Sequence, residues 1–185
     1  KMSFPDAMLT TDHFHVIKLG MEALQHIRIK YRGEEMDMEN IAIKEAKEKG
    51  IKYKAYTLEN EDTPKQLLAR CRYILAKKIG EWTPSQELRA KLLFERYPIL
   101  KKAYKHILHL RSIYKNTERS KAHDELNEWL EKTKELEIKE FNTVANTLQD
   151  RTETILNFFV FGIFFIVRYN NFRAFCVLIT YQALI

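Results

Sequence analysis

Leu100, Ala103, Ile107, Leu110 and Tyr114 follow one another at intervals of three and four residues. That spacing places apolar side chains on one face of an α-helix and on no face of a strand. It recurs at Ile17, Met21, Leu24, Ile27 and Tyr31, at Ala122, Leu126, Trp129 and Leu130, and at Phe141, Val144, Leu148, Thr152 and Ile155. Only 5 glycines and 4 prolines punctuate the 185 residues, which disfavours a turn-rich sandwich or barrel. The expected class is mainly α, with six or seven helices and one short strand at residues 7–12, A-M-L-T-T-D, ending at Asp12.

Start and stop signals divide the helical pattern. The first helix follows Asp12 and is expected to stop at Gly33; a second, highly charged one runs from Glu34 to Lys49 and ends at Gly50. Residues 51–62 read as a loop of extended character. T-P-K-Q at 63–66 and T-P-S-Q at 83–86 each combine an N-cap threonine, a proline at the first helical position and a glutamine at the third. That combination is a capping box with a preorganised first turn. They predict helices over 64–79 and 84–96, with further helices over 98–116 and 120–137.

Charge and cysteines narrow the function classes. The net charge is +6, which suits nucleic acid or an acidic membrane face. Lys101, Lys102, Lys105, Arg111 and Lys115 lie in a stretch with no acid between Lys101 and Asn116, so phosphate contact is one reading and a solvated helix face the other. Cys71 and Cys176 form no CxxC or Cys/His cluster, so neither a disulfide framework nor a structural zinc site is expected. That cysteine usage makes a reducing cytoplasm the default location, and residues 1–12 lack a continuous apolar run, which predicts no signal peptide. From Ile155 onward there is no acidic residue, and the segment 155–185 is aromatic and apolar. Its longest uninterrupted apolar run, Phe158–Val167, is too short for a bilayer span of about 20 residues.

Asp12 raises the sharpest question. With His13 and His15 beside it, it reads either as a metal-holding carboxylate or as the N-cap of the helix that follows. His13 and His15 do not have a standard zinc spacing and read as packing or surface residues. Trp82, Trp129 and the tyrosines read as core packing rather than as base-stacking platforms.

The blocks D-H-F-H-V-I-K-L and E-A-L-Q-H-I-R, then D-T-P-K-Q-L-L-A-R-C-R-Y, W-T-P-S-Q-E-L-R-A-K-L-L-F-E-R-Y-P and F-N-T-V-A-N-T-L, stand in an order that closely resembles the DDE transposases of bacterial insertion sequences, in particular the ISL-three group. The resemblance runs from about Ser3 to Val160. It implies an RNase H-like domain carrying a long helical insertion, DNA as partner, and DNA transposition by metal-dependent cleavage and strand transfer. It also implies three acidic residues holding two divalent ions, usually Mg²⁺. Asp12 matches the second of those acids. The first belongs to an earlier strand, and Asp6 is no convincing substitute. The third, a Glu, belongs after N-F-F-V, where this sequence continues F-G-I-F-F-I-V-R-Y-N-N-F-R without an acid.

The resemblance therefore divides the chain into residues 1–33 as a fragment of the catalytic core, 34–157 as the helical insertion, and 158–185 as an out-of-frame tail. The expectation is a truncated transposase with little or no catalysis, since Asp12 alone would not hold Mg²⁺. A homo-oligomer or an intact transposase is the further partner implied. The alternatives are a non-catalytic helical DNA-binding or protein-interaction module and, less favoured, a membrane-associated small protein.

Overall fold

The computed structural model describes residues 9–161, and among them every regular element is a helix. In chain order these are α1 (His13–Glu48), α2 (Pro64–Arg70), α3 (Pro84–Arg96), α4 (Pro98–Ile113), α5 (Arg119–Leu136), α6 (Lys139–Asp150), α7 (Thr152–Leu156) and α8 (Phe158–Phe161). The mainly α class is as expected. The chain forms two compact units, one of residues 21–105 and one that combines 9–20 with 106–161; α1 and α4 each contribute to both.

Residues 9–12 form no strand, which corrects the expectation for that part of 7–12; residues 7 and 8 lie outside the described residues. A strand needs a neighbouring strand to take its backbone groups. Here a helix takes them instead. The Thr11 N–H donates to the Thr154 carbonyl at 2.8 Å, the two threonine hydroxyls meet at 2.7 Å, and Asn157 Nδ2 donates to the Leu9 carbonyl at 2.9 Å.

Gly33 does not stop the first helix, and the two helices expected on either side of it are the single helix α1. Glycine in a helix interior costs about 1 kcal/mol relative to alanine, which the helix formers on both sides outweigh. Gly50 does end α1. Its φ of 68° is left-handed, its N–H reaches the Lys47 carbonyl and the Ile51 N–H reaches Ala46, the paired closure of a Schellman motif. The two glycines differ in what the chain does next, not in themselves.

In the unit 21–105 both capping boxes form as the sequence implies: the Thr63 and Thr83 hydroxyls each accept from the N–H of Gln66 or Gln86, whose side chain accepts in return. The helix expected over 64–79 nevertheless ends at Arg70 and continues as turns. The carbonyls that would extend it are taken by side chains. Arg28 Nη1 donates to Leu68, Gln25 to Arg72, the Trp82 indole to Ile74 and the Tyr104 hydroxyl to Lys77, at 2.8–3.3 Å. Asp62, fully buried, then ties the two capped helices together. It pairs with Arg70 at the end of α2 and with Arg89 of α3 at 3.1 Å, and accepts from Asn60 at 2.8 Å. Leu67, Leu68, Leu75, Leu93 and Leu100 are fully buried in this unit.

In the unit of 9–20 with 106–161, Trp129 is fully buried. His106 stacks on it at 4.2 Å, and the indole donates to the His106 carbonyl. The Thr133 hydroxyl donates to the Trp129 carbonyl and so accepts from His106 Nε2 at 2.7 Å, which makes His106 a neutral donor. Burial, then the neighbouring His109 and Lys132 charges, lowers its pKa to about 4. Ala122, Leu126, Phe141, Val144 and Leu148 are buried as their spacing predicts, whereas Leu130 and Thr152 are half-buried. The period expected to continue from Phe141 to Ile155 breaks at Arg151, between α6 and α7. On α1 the fully buried side chain of this unit is Val16, beside a half-buried Ile17. One turn further on, a Cβ at Gly20 would lie 2.5 Å from Ile107 Cδ1, so glycine permits the close approach of α1 to α4.

Candidate functional site

Asp12 stands immediately before the first residue of α1. Its Oδ1 accepts from the Phe14 N–H at 3.2 Å, and its carbonyl accepts from the His15 N–H at 3.1 Å. This is N-cap geometry. His13 Nδ1 lies 3.1 Å from the same Oδ1, so both side-chain contacts fall on one carboxylate oxygen.

Around it stands an aromatic wall, of which sequence periodicity singled out Tyr114 but not His13, Phe158 or Phe159. The His13 ring lies 5.7 Å from Tyr114 and 5.5 Å from Phe158, and Tyr114 lies 5.6 Å from both Phe158 and Phe159. Tyr114 follows directly on the last residue of α4, where its spacing continues the stripe. Its hydroxyl is buried and, among the described residues, has no hydrogen-bond partner. Burial foremost, and the Asp12 charge after it, hold the phenol above its ordinary pKa. His15 is half-buried with its ring 6.0 Å from that of Phe14.

The wall is built by the far end of the chain. The bonds from Thr11 to Thr154 and from Leu9 to Asn157 bring the segment that ends in Asp12 against the N-F-F-V block, more than 140 residues later in the sequence. Both blocks belong to the family's ordered pattern, but nothing in local periodicity says that they meet.

These residues do not by themselves make a two-ion centre. Hard divalent ions each take several oxygen ligands. Among the described residues no group of three or more His, Cys, Asp or Glu side chains is gathered so that it could hold a metal ion. Asp12 stands as one carboxylate with an adjoining imidazole.

Of the basic residues, Lys101, Lys102 and Lys105 are exposed on α4 in the unit 21–105. Arg111 is half-buried on α4, and Lys115 is exposed beyond its end; both belong to the other unit. Trp82 packs with Phe94 and Tyr104 at 5.8–6.4 Å, and together with the buried Trp129 it is a packing residue. Cys71 is buried and its thiol is pushed up to about 12, chiefly by that burial.

A family model described as transposase, of the ISL-three DDE type, matches residues 1–164. The chain belongs to this transposase family. No curated protein and no solved structure matches it. Among the described residues, no helix of this transposase chain is long and apolar enough to cross a membrane. The family match embraces Asp12, the T-P-x-Q helices and the N-F-F-V block, and so spans the region where the two ends of the match meet. The aromatic segment beyond 161, including Cys176, lies outside the described residues.

Proposed function

We propose that residues 9–161 form the part of a DDE transposase domain that presents the second catalytic carboxylate, Asp12, together with a helical insertion that begins along α1. The observation that carries this reading is the meeting of the Asp12 segment with Thr154 of α7 and with Asn157 just beyond it. In an RNase H-like active site the second and third acids converge from distant parts of the chain. The family places the third acid after the N-F-F-V block, which is the block that lies against Asp12 here. Metal-dependent DNA cleavage and strand transfer, with Mg²⁺, is the chemistry of the complete site. Asp12 would be one ligand, oriented by the α1 N-terminus and by His13. The residues described do not complete that site, and the reading for them is DNA binding with little or no cleavage.

DNA is the partner this reading requires, and Lys101, Lys102 and Lys105 are the exposed cations assigned to it, with Arg111 and Lys115 as further phosphate contacts. The test is duplex-DNA binding followed by fluorescence anisotropy between 50 and 200 mM salt. Replacing all three lysines by glutamine should weaken binding to every sequence alike and reduce the slope of log K against log salt by roughly 3, about 0.9 for each phosphate contact. An unchanged slope removes these lysines from the interface. Mg²⁺-dependent nicking abolished by Asp12→Asn would overturn the assignment of a binding role without cleavage.

A further inference from the structure

Within the unit 21–105, Arg28 is a charged side chain buried without a counter-charge. It is 7% exposed, yet both of its hydrogen bonds go to neutral acceptors. Nε donates to Gln25 Oε1 at 2.7 Å, and Nη1 to the Leu68 carbonyl at 3.0 Å. Nη2 has no acceptor among the described residues and is not sealed from solvent. A buried charge is ordinarily paired with an opposite one, because taking it out of water is otherwise costly. Here the neighbouring charges have the same sign. Gln25, Arg28 and Arg32 stand at positions i, i+3 and i+7 of α1, on one face. The Gln25 amide donates to the Arg72 carbonyl at 3.3 Å, which brings the turn after α2 to that face. Arg32 and Arg72 are exposed and, among the described residues, form no ion pair; the Arg72 guanidinium lies over the Tyr73 ring at 5.5 Å. Burial, then Arg72, then Arg32 lower the Arg28 pKa. Only Cys71 opposes them, and its thiol, pushed up to about 12, is uncharged at neutral pH.

We propose that Arg28, Arg32 and Arg72 form a phosphate-binding site with Arg28 Nη2 at its floor. Arginine suits this ligand, because the planar fork of N–H groups matches two phosphate oxygens at once. A phosphate supplies the negative charge that the buried guanidinium lacks, and it offsets the repulsion among the three cations. Gln25 and the Leu68 carbonyl already hold Arg28 in place, so little side-chain freedom is lost on binding. Two sources present this chemistry, the backbone of a nucleic acid and a free phosphate compound such as a nucleotide. The site stands apart from Asp12 and from the α4 lysines, and the inference depends on neither assignment.

The first experiment is thermal unfolding of the full chain in increasing sodium phosphate at pH 7, with sodium chloride holding the ionic strength constant. A ligand that binds the folded state alone raises Tm. The rise should be reduced in Arg32→Gln and in Arg72→Gln, whose side chains are exposed, and kept in Lys91→Gln, which removes an exposed charge of α3. The general salting effect of phosphate is common to all of these variants. The second experiment follows the Arg28 Nε–H resonance by 15N NMR, identified by its loss in Arg28→Gln. Inorganic phosphate should shift it saturably, and Arg32→Gln or Arg72→Gln should each weaken that binding roughly tenfold, the loss of one charge-assisted hydrogen bond. The same resonance is then followed with AMP and with a short DNA duplex. A shift by the duplex at lower concentration than by AMP supports the site with a nucleic-acid backbone as its source; the reverse order supports it with a free phosphate compound. No saturable shift with any of the three probes overturns the proposal, and so does a loss of the Tm rise in Lys91→Gln equal to that in the arginine variants.

Discussion

Replacing Asp62 by alanine is the perturbation that bears hardest on how the two capped helices are held. Asp62 is fully buried and receives Arg70 and Arg89, while their side chains are 54 and 27% exposed. Removing the acid deletes two charge-assisted hydrogen bonds, each contributing about 1.5–3 kcal/mol. Both arginines can then turn to water, so no buried charge is stranded and the cost should stay near 3 kcal/mol. The reverse change behaves differently. Arg70→Met with Arg89→Met leaves a buried carboxylate with only Asn60 beside it, and breaking a buried pair from that side costs about 3–5 kcal/mol. The assay is thermal unfolding by circular dichroism at pH 7. At about 2–4 °C per kcal/mol for a chain of this size, Asp62→Ala should lower Tm by roughly 6–12 °C and the double arginine variant by more. A shift below about 3 °C for Asp62→Ala, or a double variant milder than the single one, would refute the reasoning that a desolvated carboxylate joins α2 to α3.

Three further outcomes are expected. His106 has a folded pKa of about 4 against an ordinary 6.5, so the unfolded chain takes up its proton first. Its contribution is complete above pH 6.5 and is lost as pH falls toward 4, by up to about 3 kcal/mol, and Tm measured across that range in the protein and in His106→Leu should show the slope only in the former. Thr83→Ala removes the side-chain acceptor of a capping box and should cost about 1 kcal/mol, read as a lower urea midpoint at unchanged m. Glu137 closes α5 with a left-handed φ of 52°, so Glu137→Gly should stabilise by about 0.5–1 kcal/mol in the same urea titration, the opposite sign from most glycine substitutions.

The helices were legible wherever the signal was local. The capping boxes at Thr63 and Thr83, the buried stripe from Leu100 to Ile107 and Leu110, and the stop at Gly50 all follow from residues within a few positions of one another. Asp12 was legible as a cap for the same reason, and as a site residue only through the ordered blocks of its family. What local signals could not decide was where they compete with distant groups. α2 looks longer in sequence than it is, because Trp82, Tyr104, Gln25 and Arg28 take backbone carbonyls of 68–77 from positions at least eight residues away. Residues 9–12 have the look of a strand, yet their partners are Thr154 and Asn157. Gly33 and Gly50 are the same residue with opposite outcomes, since a helix stops only where the following chain can turn left-handed and close on its carbonyls. Sequence determined which segments are helical and which family the chain belongs to. Tertiary structure decided where several helices end and which distant residues surround Asp12, because those outcomes depend on hydrogen-bond partners that only folding brings within reach.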